Sequence, residues 1–221
     1  MTDWIEHLHG RFLVFDGPDG SGKSTQCDRF AAWCRQQGVP VTEVREPGGT
    51  AIGEQIRRVL LDPENTDMDL RCEMLLYMAS RAQLVEQTIR PALARRELVL
   101  ADRFVSSTLA YQGTAGGMTD TEILAVGEVA VGECWPDLTV LFDVDERTAA
   151  GRLNPLLDRI ELRGTEFHRR VRQGYLAQAA RDPEKYLIVD AAQEEMEVFG
   201  DLLAQLPQRL VSTSVGINGK A

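Results

Sequence analysis

Phe12-Leu13-Val14-Phe15-Asp16-Gly17-Pro18-Asp19-Gly20-Ser21-Gly22-Lys23-Ser24-Thr25 is the stretch that decides the fold of this chain. Gly17 to Ser24 fit Gly-x-x-x-x-Gly-Lys-Ser/Thr, a loop pattern that wraps a phosphate chain. The apolar run Phe12 to Phe15 before it reads as a buried strand, and Thr25 to Gln37 behind it reads as a helix. Glycines let the backbone turn tightly and aim N–H groups at a phosphate. The helix behind adds the positive end of its dipole. In that setting Lys23 reaches the outer phosphates and the Ser24 hydroxyl suits Mg²⁺. Gly17, Pro18, Asp19, Gly20, Ser21, Gly22, Lys23, Ser24 and Thr25 form the candidate nucleotide-binding set.

Outward from this loop, strand and helix patterns alternate. Further strands are expected at Val41 to Val44, Glu97 to Asp102, Leu138 to Asp143 and Tyr186 to Asp190. Helices are expected over Ile52 to Leu61, Asp69 to Arg96 with Pro91 as a kink, Ser106 to Gln112, Thr121 to Val131, from Glu146, Phe167 to Ala180 and Met196 to Leu206. Gly113 to Gly117 reads as a flexible loop, and the segment from the Asn154-Pro155 break through Arg163-Gly164 as a mobile loop rich in arginine. Alternation of this kind means a parallel sheet with right-handed crossovers. Its ligand lies at the carboxyl ends of the strands, the edge that receives the phosphate loop, the Arg45 turn and Asp102-Arg103. Residues 1–211 are expected to form one domain and 212–221 a disordered tail.

Composition narrows the function. A length of 221 residues suits one well-buried domain. A net charge of −10 argues against nucleic acid as a partner, which demands a basic face. No apolar run is long enough to span a membrane, and the polar Met1 to Gly10 does not read as a signal peptide. The four cysteines have no metal-ligand spacing, and Cys27 and Cys34 share one helix face. A reduced, cytoplasmic setting is expected. His7, His9 and His168 are scattered and read as surface residues.

Arg45-Glu46-Pro47-Gly48-Gly49-Thr50, then Asp102-Arg103-Phe104, then Ser107 and Ala110-Tyr111-Gln112-Gly113 complete a specific signature. With the phosphate loop it closely resembles the bacterial thymidylate kinase family, from about Arg11 to about Pro207. The resemblance implies the α/β fold of P-loop nucleoside monophosphate kinases: a five-stranded parallel sheet flanked by helices, with a short lid. It implies a homodimer that uses ATP and Mg²⁺ to convert dTMP to dTDP, a step toward dTTP. Carried over by position, Asp19 meets the sugar 3′-hydroxyl and Tyr77 stacks on thymine. Arg81 bonds the base, Arg103 binds the dTMP phosphate, and Ser107, Tyr111 and Gln112 line the base and sugar pocket. Asp102 holds Mg²⁺ through water, with Ser24 as the other metal-side residue. Lys23 and Arg103 belong to the catalytic set.

The resemblance also implies a catalytic arginine from a lid, Gly151 to Gly164, because Gly20 and Ser21 leave no basic residue at the variable loop positions. Arg159 is favoured over Arg152, and Arg163 lies close by. Asp158-Arg159-Ile160-Glu161 fits the family's lid end, whereas Asn154-Pro155-Leu156 departs from its middle. Asp143 also ends a strand but reads as structural, since no basic residue follows it. The alternatives are a kinase for another nucleoside monophosphate, a GTPase-type switch and a non-catalytic nucleotide-binding module. The switch lacks its Asn-Lys-x-Asp; the module would not need Lys23, Asp102 and the lid arginines together.

Overall fold

The structure is a computed structural model that describes residues 3–152 and 158–212. A 3₁₀ turn at Asp3–Leu8 leads into β1 (Phe12–Asp16), α1 (Lys23–Gln36), β2 (Val41–Arg45), α2 (Ala51–Leu61) and α3 (Leu70–Leu84). After a π-helical turn at Val85–Ile89 come α4 (Arg90–Ala94), β3 (Leu98–Asp102) and α5 (Val105–Thr108). A π-helical segment, Leu109–Ala115, precedes α6 (Asp120–Val131), β4 (Leu138–Asp143) and α7 (Glu146–Arg152). The remaining elements are α8 (Thr165–Arg181), β5 (Tyr186–Asp190) and α9 (Glu195–Ser212).

The five strands are all parallel, in the order β2-β3-β1-β4-β5. The central strand β1 is buried on both faces, as its unbroken apolar run requires. Successive side chains alternate faces. Leu13 and Phe15 point to a core shared with Phe30 and Cys34 of α1 and Leu202 and Leu206 of α9. Phe12 and Val14 point to the opposite core, with Met74 and Met78 of α3 and Ile123 of α6. The topological switch falls between β1 and its neighbours β3 and β4, so the loops after β1 and β3 open side by side at the carboxyl edge.

Three expectations differ from the structure. The helix expected to kink at Pro91 changes character earlier, passing through the π turn at Val85–Ile89 before α4 carries Pro91 in its first turn. Ile89 and Arg90 keep helical backbone angles, so Pro91 follows the π turn within one continuous helix. The Gly113 to Gly117 loop is also corrected: Gly113, Thr114 and Ala115 continue the π-helical segment, with Gly113 and Ala115 buried. A Cβ on Gly174 would lie 2.8 Å from Thr114 Oγ1, so this glycine lets α8 press directly on the segment. Finally, α9 runs past Leu206 to Ser212 with Pro207 inside it. Continuing the helix buries Leu210 on the stripe of Leu202 and Leu206, worth about 1.5–3 kcal/mol, which offsets a proline cost of about 3 kcal/mol. Asn154-Pro155 and residues 213–221 of the expected tail lie outside the described residues.

Candidate active site

The phosphate loop links β1 to α1 and takes backbone angles that glycine permits. Gly20 and Gly22 have φ of +78° and +79°. A Cβ on Gly20 would meet the Ala149 carbonyl of α7 at 2.3 Å, whereas one on Gly22 would face open space. Helix α7 thus occupies the place where a basic residue at position 20 would stand. Lys23 opens α1, is buried, and its Nζ donates to the Pro18 carbonyl at 3.4 Å. Burial, with the Arg103 charge beside it, pushes the Lys23 ammonium below its ordinary range.

Across the loop, β3 delivers Asp102 and Arg103. Ser24 Oγ donates to Asp102 Oδ2 at 2.5 Å. This hydroxyl and single carboxylate, beside a phosphate loop, fit Mg²⁺, which takes few protein ligands and completes its shell with phosphate and water. Among the described residues no group of three or more His, Cys, Asp or Glu could hold a metal by itself. Asp143, the other strand-end acid, is bound by Arg172 of α8 through two bonds of 2.7 and 2.9 Å, a structural tie as expected.

Arg103 has φ +74°, an uncommon conformation for a residue with a Cβ, of the kind found at functional sites. Its Nη1 donates to Ser107 Oγ at 3.0 Å, the Tyr175 hydroxyl at 3.1 Å and the Gly17 carbonyl at 3.3 Å, and its Nη2 pairs with Asp19. Tyr111 donates to the other Asp19 oxygen at 2.7 Å. Burial raises the Asp19 carboxyl, but the Arg103 and Lys23 charges and the Tyr111 bond outweigh it and hold Asp19 at about 2. Beneath them lies Asp16, wholly buried, which accepts from Ser106 Oγ (2.6 Å), Ser107 Oγ (2.7 Å) and the Tyr175 hydroxyl (2.5 Å).

These groups open on a cavity of about 640 Å³, a size suited to a nucleotide. Asp19, Lys23, Ser24, Asp102 and Arg103 line its phosphate side; Tyr77, Ser107, Tyr111 and Gln112 line the remainder. The structure thus brings these nine expected site residues together at one cavity. Arg81 is the exception among the acceptor residues. It stands behind the wall, 1% exposed, bound to Glu46 by Nε at 2.7 Å and to Thr108 Oγ1 at 3.2 Å. Burial raises the Glu46 carboxyl to about 7 against the pull of Arg81, and Glu46 itself lines the cavity.

The lid arginines stand elsewhere. Arg159 is buried, with Nε on the Leu60 carbonyl at 2.7 Å and Nη2 2.6 Å from Glu73 of α3. Arg152 donates to the carbonyls of Ala191 (2.7 Å), Ala192 (3.3 Å) and Gln193 (3.3 Å), after β5. Neither guanidinium lines the cavity in this conformation. His168, expected at the surface, is half-buried and lines a second cavity of about 490 Å³ between the lid end and α8.

Sequence reasoning missed Asp16, Glu46, Glu73 and Tyr175. Asp16 carried a usable signal, since it ends a strand next to the phosphate loop as Asp102 does. Glu73 carried a weaker one, four residues before Tyr77 on the helix face that also presents Arg81. Tyr175 carried none, because an aromatic residue at helical spacing reads as core.

The comparisons with known proteins agree with this geometry. The family described as thymidylate kinase matches residues 15–202. The chain belongs to the thymidylate kinase family. It is 47% identical over 189 residues to a thymidylate kinase of Desulforudis audaxviator (strain MP104C), covering 85% of this chain and 86% of that protein. It is 39% identical over 207 residues to one of Geobacillus sp. (strain WCH70), covering 92% and 99%. The crystal structure of thymidylate kinase from Ehrlichia chaffeensis matches with a TM-score of 0.75 at 29% identity, covering 90% of this chain and 98% of that one. The five-stranded parallel sheet is thus the thymidylate kinase fold, and nucleotide phosphoryl transfer is the chemistry of this family. Among the described residues no helix is long and apolar enough to cross a membrane.

Proposed function

We infer that this chain is a dTMP kinase, transferring the γ-phosphoryl of ATP to dTMP to give dTDP and ADP. The observation that carries the reading is one cavity holding both an acceptor set, Tyr77, Gln112, Asp19 and Arg103, and the phosphate-loop pair Lys23 and Ser24. Ser24 and Asp102 would hold Mg²⁺, which would supply charge neutralisation at the donor phosphates. The chain's own residues do the positioning. Arg103, fixed by Asp19, Ser107 and Tyr175, presents a planar fork to the acceptor phosphate. Tyr77 offers a flat face for the base, and Asp19, held ionised, accepts from a sugar hydroxyl. Lys23 adds positive charge at the outer phosphates. Phosphoryl transfer needs no covalent intermediate, only two phosphates in line under that charge.

For the lid arginine, the burial of Arg159 on Glu73 favours a fastening role for it. Arg152, exposed and held among the described residues by backbone carbonyls, is then our choice for the residue that swings to the nucleotide. This reverses the preference for Arg159 taken from the family resemblance of the lid end. We further propose a homodimer. Exposed Ile52 and Val59 of α2, Leu75 of α3 and Val129 of α6 lie on helices that pack side by side and would be covered by a second copy. Four free cysteines, three of them buried, support a reducing, cytoplasmic setting. The net charge of −10 supports small nucleotides rather than nucleic acid as partners. An ADP-release assay across nucleoside monophosphates tests the reading, with dTMP the expected acceptor.

A further inference from the structure

Glu73 of α3 is wholly buried, and both its oxygens are taken by residues from other parts of the chain. Oε1 accepts from Gln112 Nε2 at 2.8 Å. Oε2 accepts from Arg163 Nη2 at 2.5 Å and lies 2.6 Å from Arg159 Nη2. Gln112 lines the nucleotide cavity, and the two arginines belong to the lid end whose Asp158, Ile160 and Glu161 line it too. One carboxylate therefore joins a pocket residue to the lid.

A carboxylate offers acceptors only. It fixes which way the Gln112 amide faces: the NH₂ turns to Glu73, and the atom left to meet a ligand is the carbonyl oxygen. We propose that Glu73 is a positioning residue that couples the lid end carrying Arg159 and Arg163 to reading of the base, by presenting the Gln112 carbonyl to a pyrimidine N–H while anchoring those two arginines. The inference rests on the dTMP reading above. Thymine and uracil carry a donor at N3, whereas cytosine carries an acceptor there. A fixed carbonyl pairs with the first two and is left unpaired against the third. A Gln112 released from Glu73 can rotate its amide, present NH₂ instead, and accept either edge. The two guanidinium groups supply the charge that lets this carboxylate sit buried, so loosening the lid loosens the base reader as well.

The test is steady-state kinetics of the full chain on dTMP, dUMP and dCMP, for the wild type, Glu73→Gln and Arg163→Gln. Glu73→Gln is expected to lower the ratio of kcat/KM for dTMP over dCMP by about tenfold or more, through the KM for dTMP, with the KM for ATP moving less than about twofold. Arg163→Gln, on a side chain 26% exposed, is expected to lower the same ratio severalfold. A folded Glu73→Gln variant with an unchanged ratio overturns the proposal, since a merely structural residue would reduce stability and total activity without changing the choice of base. If Glu73→Gln does not fold, an unchanged ratio in Arg163→Gln overturns it equally. A wild type that does not phosphorylate dTMP overturns the underlying reading. A wild type that does, with variants that keep its selectivity, overturns this inference alone.

Discussion

Tyr175 of α8 donates its hydroxyl hydrogen to Asp16 Oδ1 at 2.5 Å, tying the end of β1 to a helix 159 residues later in the chain. The same hydroxyl accepts from Arg103 at 3.1 Å. One phenol therefore satisfies a wholly buried carboxylate and orients the arginine proposed for the acceptor phosphate. Tyr175→Phe keeps the ring and removes both bonds, together with the 2.8 Å hydrogen bond between this hydroxyl and Ser107 Oγ. Because a buried acceptor loses one partner, a stability loss of about 1–3 kcal/mol is expected. The KM for dTMP is expected to rise severalfold, while the KM for ATP holds. Chemical denaturation and steady-state kinetics check this, and a stability loss with no change in the dTMP KM would separate Tyr175 from the site.

Arg103→Ala is expected to raise the KM for dTMP far more than that for ATP. Asp19, Ser107, Tyr111 and Tyr175 all hold this guanidinium at the acceptor side of the cavity. Equal effects on both substrates would move Arg103 out of the acceptor site.

Asp19 gives the stability of the chain a pH dependence. Its folded carboxyl titrates at about 2, below the ordinary value of 3.8, because Arg103 and Lys23 overcome the effect of burial. The unfolded chain therefore binds a proton first as pH falls. The stability Asp19 contributes is full above its unfolded value and is lost as pH falls toward the folded one. Between about pH 5 and about pH 3, the wild type is expected to lose about 1 kcal/mol more than Asp19→Asn does. Denaturant titrations at the two pH values measure this, and parallel losses in the two proteins would contradict it.

The lid arginines make opposite predictions. Arg152→Ala is expected to lower kcat with little change in the KM for dTMP. Arg159→Ala, which takes one of the two arginines from Glu73 and frees the Leu60 carbonyl, is expected to raise that KM and to lower stability. If Arg159→Ala instead lowers kcat more than Arg152→Ala, the catalytic role returns to Arg159.

The sequence was most informative where a pattern was local. The phosphate loop, β1 and the strand-end pair Asp102-Arg103 could be read directly, because spacing and alternation express them within a few residues. The carboxyl-edge location of the site followed from the alternation of strand and helix patterns. What could not be read was long-range pairing. Glu73 meets Gln112, Arg159 and Arg163 only because the π-helical segment and the lid end converge on α3. Arg81 and Arg159 share a residue type with Arg103, yet buried carboxylates engage them behind the cavity wall. The π-helical stretch at Leu109–Ala115 was hidden as well, since its glycine reads as a loop signal until α8 is seen packed against the segment.

The most direct measurement is coupled ADP release by the purified chain with Mg·ATP and a panel of nucleoside monophosphates. The account predicts turnover that depends on the acceptor and strongly prefers dTMP. Preference for a purine or cytidine monophosphate would leave the phosphate loop and its chemistry in place but contradict the pocket formed by Tyr77, Gln112 and Arg103. No acceptor-dependent turnover at all would contradict the kinase reading itself.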